Sequence, residues 1–147
     1  MYLLDTNHCS RIIFGDPTLI QQLQLHSEAD VATSVIVLGE LSYMVAKSER
    51  TAANMQQVRA FLNMIDLYPI NLTTAEIYGS IKGKLVTVFG PKDKKQRRNF
   101  NPQSLGIGDN DLWIAATAIQ YNLTVVSADS DFKRIQQVEP LALESWV

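Results

Sequence analysis

The sequence predicts an α/β fold in which a central, mainly parallel sheet of about five strands is covered by helices on both faces. Short apolar runs near 2–4, 31–33, 67–70, 123–126 and 141–143 are too brief for helices and read as strands. The stretches between them repeat apolar residues every three or four positions, as amphipathic helices do. Strands that alternate with helices imply parallel pairing, because each return to the same edge needs a crossover. A chain of 147 residues, 46% hydrophobic and 19% charged, is large enough to bury one sizeable core, so residues 1–147 are read as one domain.

The elements follow in order. Tyr2-Leu3-Leu4 is a buried strand that stops on Asp5-Thr6-Asn7, whose side-chain oxygens suit a helix start. Cys9 to Phe14 forms that helix, and Gly15-Asp16-Pro17 ends it. Pro17 opens a second helix running to about residue 27, and residues 31–33 form the next strand. From Ser34 the pattern is helical again, with Val37, Leu38, Leu41, Met44 and Val45 around Glu40. A helix over about 51–65 precedes the strand at 67–70, and Thr73 or Thr74 is expected to cap a helix over about 75–88. Gly90-Pro91 stops that helix, and the long connection to Gly108 reads as the least ordered part of the chain. Asp109 is a natural N-cap for a helix from Asn110 to about Tyr121. A strand, a polar turn over 127–132, a brief helix and a last strand complete the chain.

In sheets of this kind, sites form beyond the carboxyl ends of the strands. Asp5 and Asp129 both follow apolar strands, Asp111 lies in the first turn of a helix entered from the same end, and Glu40 reaches the same rim from its helix. Asp5 as a cap, Asp111 as a first-turn acid and Asp129 or Asp131 as turn formers each have an ordinary structural explanation. Glu40 has none as a cap, since it sits mid-helix beside an apolar stripe, where a carboxylate costs several kcal/mol unless compensated. Four like charges at one rim repel unless a cation joins them. Ligation by oxygen alone selects Mg²⁺ or Mn²⁺ over zinc, and such a site suits phosphodiester hydrolysis.

Other chemistries are poorly supplied. His8 and His26 lack ligand spacing, Cys9 has no evident base partner, and the glycine patterns of nucleotide-binding loops are absent. One cysteine and no apolar run near the roughly 20 residues that span a bilayer predict a cytoplasmic protein with no membrane partner. Net charge is −2, yet Lys92, Lys94, Lys95, Arg97 and Arg98 crowd five of the 13 basic residues into seven positions. That run is either solvated surface or a set of phosphate contacts.

Four stretches resemble the motifs of the PIN-domain ribonucleases, especially the VapC toxins of bacterial toxin–antitoxin pairs. They are Leu4-Asp5-Thr6-Asn7, the segment Ser34 to Leu41 around Glu40, Asp111 followed by Ile114-Ala115-Ala116, and Ser127-Ala128-Asp129-Ser130-Asp131-Phe132. The resemblance covers nearly the whole chain, and the order and spacing make it fairly specific. It implies a three-layer α/β/α fold and a Mg²⁺- or Mn²⁺-dependent endoribonuclease with Asp5, Glu40, Asp111 and Asp129 as metal ligands. It also implies a homodimer and a cognate antitoxin that inhibits it, with operator DNA bound only through that antitoxin. Thr6 and Ser127 are expected to orient carboxylates or waters, Asn7 to stabilise the turn, and Asp131 to support Asp129. Asp109 is either a fifth ligand or the N-cap, the cap being favoured. The connection over about 90–108 is longer and more basic than in compact family members. A non-catalytic PIN-like module binding RNA or protein is the alternative, and intact acids at all four positions argue against it. A haloacid-dehalogenase-like phosphatase generally has a second Asp where this chain has Asn7.

Overall fold

The apolar runs become five strands, β1 (Tyr2–Leu4), β2 (Val31–Ser34), β3 (Asp66–Tyr68), β4 (Thr124–Val126) and β5 (Leu143–Glu144), in a computed structural model that describes residues 1–27 and 30–147. They pair in parallel in the order β3-β2-β1-β4-β5. The chain therefore moves outward one way from β1 and then returns to its other side, which sets the topological switch point between β1 and β4. Tyr2 is in register with Val31 and Thr124, and Leu4 with Val126. This pairing delivers Asp5 and Ser127 side by side just past the strand ends. The Asp5 amide continues the ladder by donating to the Val126 carbonyl at 3.2 Å.

Helices α1 (Thr6–Ile13) and α2 (Pro17–Leu25) connect β1 to β2, and α3 (Val35–Ala46) and α4 (Thr51–Leu62) connect β2 to β3. Helices α5 (Leu72–Phe89), α6 (Lys94–Arg98) and α7 (Asp109–Tyr121), with a 3₁₀ turn at Pro102–Leu105, connect β3 to β4, and α8 (Ser130–Gln136) leads towards β5. Right-handed crossovers put helices reached by opposite directions of travel on opposite faces, giving the three-layer α/β/α arrangement. Leu3, Leu4, Val31, Val125 and Val126 are buried in the central strands because both sides of the sheet are covered, which is why they read as continuous apolar runs rather than alternating ones. The long helices α5 and α7 pack on one another, and Ile81 and Leu85 of the first and Leu112 and Ala116 of the second are buried in the core.

Several boundaries differ from the sequence reading. The expected Thr73 or Thr74 cap is displaced to Asn71, whose side chain accepts from the Thr74 amide at 3.2 Å while the Thr74 hydroxyl accepts from the Asn71 amide at 3.1 Å. This reciprocal box satisfies two otherwise unpaired donors, so α5 starts three residues early. The connection from 90 to 108 is more ordered than expected. Asp93 caps α6 through the Lys95 and Gln96 amides, Asn101 caps the 3₁₀ turn, and Gly106 closes it at φ +71°, the left-handed region that suits glycine. β3 and β5 fall at 66–68 and 143–144 rather than at the apolar cores of their runs. Edge strands are bounded by their one partner's register, not by hydrophobicity.

Candidate functional site

The polar cleft at the carboxyl ends of β1 and β4 is built from four segments. Asp5, Thr6 and Asn7 form one wall with Glu40, while Gly108 to Asp111 and Asp129 form the other, enclosing about 380 Å³. Asp5 is 5% exposed and is also the N-cap of α1. Its Oδ1 accepts from the His8 amide at 2.8 Å and faces His8 Nδ1 at 2.9 Å, and its Oδ2 accepts from the Ser127 hydroxyl. With so many donors the carboxylate is fixed in orientation before anything binds. Capping and cleft-lining are therefore compatible roles for one side chain. Glu40 is half-buried, with Oε2 accepting from the Thr6 hydroxyl and Oε1 from Asn110 Nδ2 at 2.8 Å. The expected compensation for a mid-helix acid is thus a pair of neutral donors, and the side chain lies at the cleft wall rather than within the core.

Across the cleft, one oxygen from each of Asp111, Asp129 and Asp131 falls within 4.8 Å of the others. Asp129 is exposed and caps α8, accepting from the Asp131 amide at 2.9 Å, while its own amide donates to Ser127 Oγ at 3.0 Å. Asp131 Oδ2 accepts from the Gly108 amide at 2.9 Å, which ties the start of α7 to α8. Burial and the charges of Asp129, Asp131 and Asp5 push the Asp111 carboxyl up to about 7. A cluster of hard oxygen donors in which burial and mutual repulsion raise the proton affinity of Asp111 fits a divalent cation. Asp111, Asp129 and Asp131 supply the tightest donor set, with Asp5 and Glu40 lining the same space.

Asp109 departs from expectation. Gly108 occupies the N-cap position of α7 without a side-chain cap bond, and Asp109 is the first helical residue. Its Oδ1 accepts from the Tyr78 hydroxyl and pairs with Lys82 Nζ at 3.1 Å. Partial burial opposes ionisation, but the Tyr78 and Lys82 hydrogen bonds and the Lys82 charge outweigh it and hold this carboxyl below its usual range. Tyr78 is itself stacked on Trp113 at 3.8 Å. Capping is thus lost to a stronger charged partner on α5.

The PIN-domain family profile matches residues 2–138. Ribonuclease VapC2 of Rickettsia felis is 30% identical over 148 residues, spanning 99% of this chain and 98% of that protein. The chain belongs to the PIN-domain family, in its VapC group. Ribonuclease VapC2 of Haemophilus influenzae is 28% identical over 146 residues, with 99% and 98% covered. Among solved structures, the Rickettsia felis VapBC2 complex bound to a DNA fragment from its promoter superposes with a TM-score of 0.77 at 28% identity, covering 99% of this chain and 98% of that one.

Within this PIN domain, Asn7 is exposed on the cleft rim, and Lys92, Lys94, Lys95 and Arg98 are exposed on or beside α6, with Arg97 half-buried. Asn110, Tyr78 and Lys82 were not legible as site residues from the sequence, and His8, three residues past Asp5, reads there as an ordinary helix-start histidine in preference to a substrate contact. His8 is fully buried against Asp5, the role of Asn110 needs the distant Glu40, and only the i,i+4 spacing of Tyr78 and Lys82 hinted at a shared face. Cys9 is packing: burial pushes its thiol up to about 12, far from a nucleophile's range.

Proposed function

We propose that this PIN domain is a divalent-cation-dependent endoribonuclease acting as the toxin of a toxin–antitoxin pair. The observation that carries the reading is the convergence of Asp5, Glu40, Asp111 and Asp129, from four chain segments, on one cleft with only oxygen donors. Asp111, Asp129, Asp5 and Glu40 would hold the cation, Mg²⁺ or Mn²⁺, with an Asp131 oxygen within reach of the Asp111–Asp129 pair. A bound cation supplies a water of lowered pKa and neutralises charge on the phosphate. The chain's own part is positioning. His8 and Ser127 clamp Asp5, Thr6 and Asn110 clamp Glu40, and the Gly108 amide holds Asp131 beside Asp111. Asp109, neutralised by Lys82, stands outside the ligand set in this reading.

Partners follow the relatives. The Rickettsia felis toxin-family protein is seen with its VapB partner on promoter DNA. By analogy this chain pairs with a cognate antitoxin, dimerises, and meets operator DNA only through that antitoxin. No described helix is long and apolar enough to cross a membrane, which accords with action on cytoplasmic RNA. Lys92, Lys94, Lys95, Arg97 and Arg98 would contact RNA phosphates. Replacing them should flatten the salt dependence of RNA binding by about 0.7 log units per lost single-strand contact. The deciding experiment incubates purified protein with RNA and Mg²⁺, Mn²⁺ or excess chelator. Cleavage that needs the metal and disappears in a folded Asp5→Asn variant supports the reading, and cleavage that persists in that variant overturns it.

A further inference from the structure

A second cavity, about 370 Å³, lies against the acidic cleft and shares Gly108 and Asp109 with it. Its walls are apolar, from Leu85, Leu105, Ile107 and Leu112, with Gln103 and Lys82 supplying polar groups. On its far side Lys82 and Pro102 also belong to a groove lined by Lys94, Arg97 and Arg98. These three cations form no ion pair among the described residues, since Asp93 is occupied in capping α6. Acidic cleft, apolar hole and basic groove are therefore contiguous and alternate in chemistry.

The wall between them is fixed in advance. Arg134 on α8 donates to the Leu105 carbonyl at 2.5 Å while its guanidinium sits 5.2 Å over the Phe89 ring, and the Gly108 amide is held by Asp131. The segment 105–108 is thus pinned at both ends to the helix that carries the acids. A preformed apolar pocket with a few polar groups is what a small planar ligand needs.

We propose that this cavity is a nucleobase subsite for single-stranded RNA, taking an unstacked base next to the phosphate held at the acidic cleft. The proposal rests on the nuclease reading for its substrate class, but the pocket's occupancy is read separately. A nucleotide joins the three depressions as no aliphatic side chain can. Its apolar face fills the hole, one phosphate faces the cleft where a cation would sit, and the neighbouring phosphates run into the Lys94–Arg97–Arg98 groove. Duplex RNA cannot present a base this way without unstacking it, so the subsite selects single strands, loops or ends. The Gln103 amide can both donate to and accept from a base edge, which gives a route to base preference.

The test is a nuclear magnetic resonance titration of the full chain with the four 5′-nucleoside monophosphates, with ribose 5-phosphate as the baseless control. At least one nucleotide should shift the amides of residues 103–108 and the methyls of Leu85 and Leu112, and ribose 5-phosphate should not. Gln103→Trp, at an exposed position lining the cavity, should remove those shifts and raise KM for single-stranded RNA about tenfold with kcat little changed. Gln103→Ala, which leaves the hole open but lacks the amide, should keep shifts at 105–108 and lose any preference among the four bases. Equal shifts with the baseless control, or none at 103–108, overturn the subsite even if RNA is cleaved. So does protection of this cavity only by a partner protein's peptide. Nucleotide-specific shifts in a protein that cleaves no RNA would uphold the subsite and count against the nuclease reading alone.

Discussion

Asp111→Asn should abolish the pH dependence that the Asp111 carboxyl imposes on the metal-free protein. In the folded chain burial and the charges of Asp129, Asp131 and Asp5 move this carboxyl from 3.8 to about 7. The unfolded chain therefore releases the proton first. Between about pH 4 and pH 7 the folded state holds a proton that the unfolded state lacks, so stability falls as pH rises through that window and stays low above it. At about 1.4 kcal/mol per pH unit the full displacement is worth roughly 4 kcal/mol, and because the group is only partly buried solvent screening brings this nearer about 2 kcal/mol. In a chain of this length that is about 4–8 °C in Tm. Asparagine keeps the shape and an amide that can face Asp131, but does not titrate. Chelator-treated wild type and variant should melt alike near pH 4, and the variant should melt about 4–8 °C higher at pH 8. A cation at about 100 times its Kd should restore about 2.7 kcal/mol to the wild type at pH 8 and far less to the variant. Parallel melting curves from pH 4 to 8 would refute the claim that Asp111 carries the repulsion.

Other perturbations separate positioning from packing. Ser127→Ala removes the donor to Asp5 and the acceptor of the Asp129 amide, and should weaken cation affinity by about 10–100-fold, read by calorimetry, with the circular dichroism spectrum unchanged. Lys82→Met removes one hydrogen bond and the charge beside Asp109 but leaves the Tyr78 hydrogen bond, so the Asp109 carboxyl should titrate higher than in the wild type, as followed by carboxyl carbon resonances. Asn71→Ala breaks the box that starts α5 and should cost about 1 kcal/mol in urea unfolding. Phe132→Ala, in the fully buried anchor of α8, should cost about 3–5 kcal/mol and loosen the turn that carries Asp129 and Asp131.

Legibility in the sequence followed the range of the interactions. The strand order was not written in any one segment, but each strand was, because runs such as Leu123 to Val126 must be apolar on both sides once helices cover both faces. The acids could be read because they sit at forced places: Asp5 and Asp129 just past strand ends, and Glu40 mid-helix, where no cap or turn accounts for it. Among their partners, Thr6 and Ser127 were expected only through the family resemblance, and Asn110 not at all. Ser127 meets Asp5 across 122 residues and Asn110 meets Glu40 across 70, so neither is signalled by local spacing. Asp109 was misread because N-cap preference is worth about 1 kcal/mol and a charged hydrogen bond from Lys82 on α5 competes with it. The connection from 90 to 108 looked unstructured because its order comes from caps at Asp93 and Asn101 and from Arg134, not from apolar periodicity.

The first turn of α7 shows how the sequence Asp109-Asn110-Asp111 keeps three polar side chains apart. Successive helical residues advance by about 100°, so the three fan around the axis to different partners. Asp109 turns to Lys82 on α5, Asn110 to Glu40 on α3, and Asp111 to the acids of α8. The middle position must be a donor, because a carboxylate there would stand against Glu40 and an aliphatic side chain would leave Oε1 unpaired. Asn110→Asp and Asn110→Ala should therefore part company in metal-free unfolding. The Asp variant repels Glu40 at pH 8 and recovers on acidification, whereas the Ala variant loses about 1 kcal/mol at both pH values through the missing hydrogen bond. A pH-independent loss in Asn110→Asp would mean that Asn110 matters to Glu40 only through its shape. The electrostatic reason for an amide between two acids would then fall.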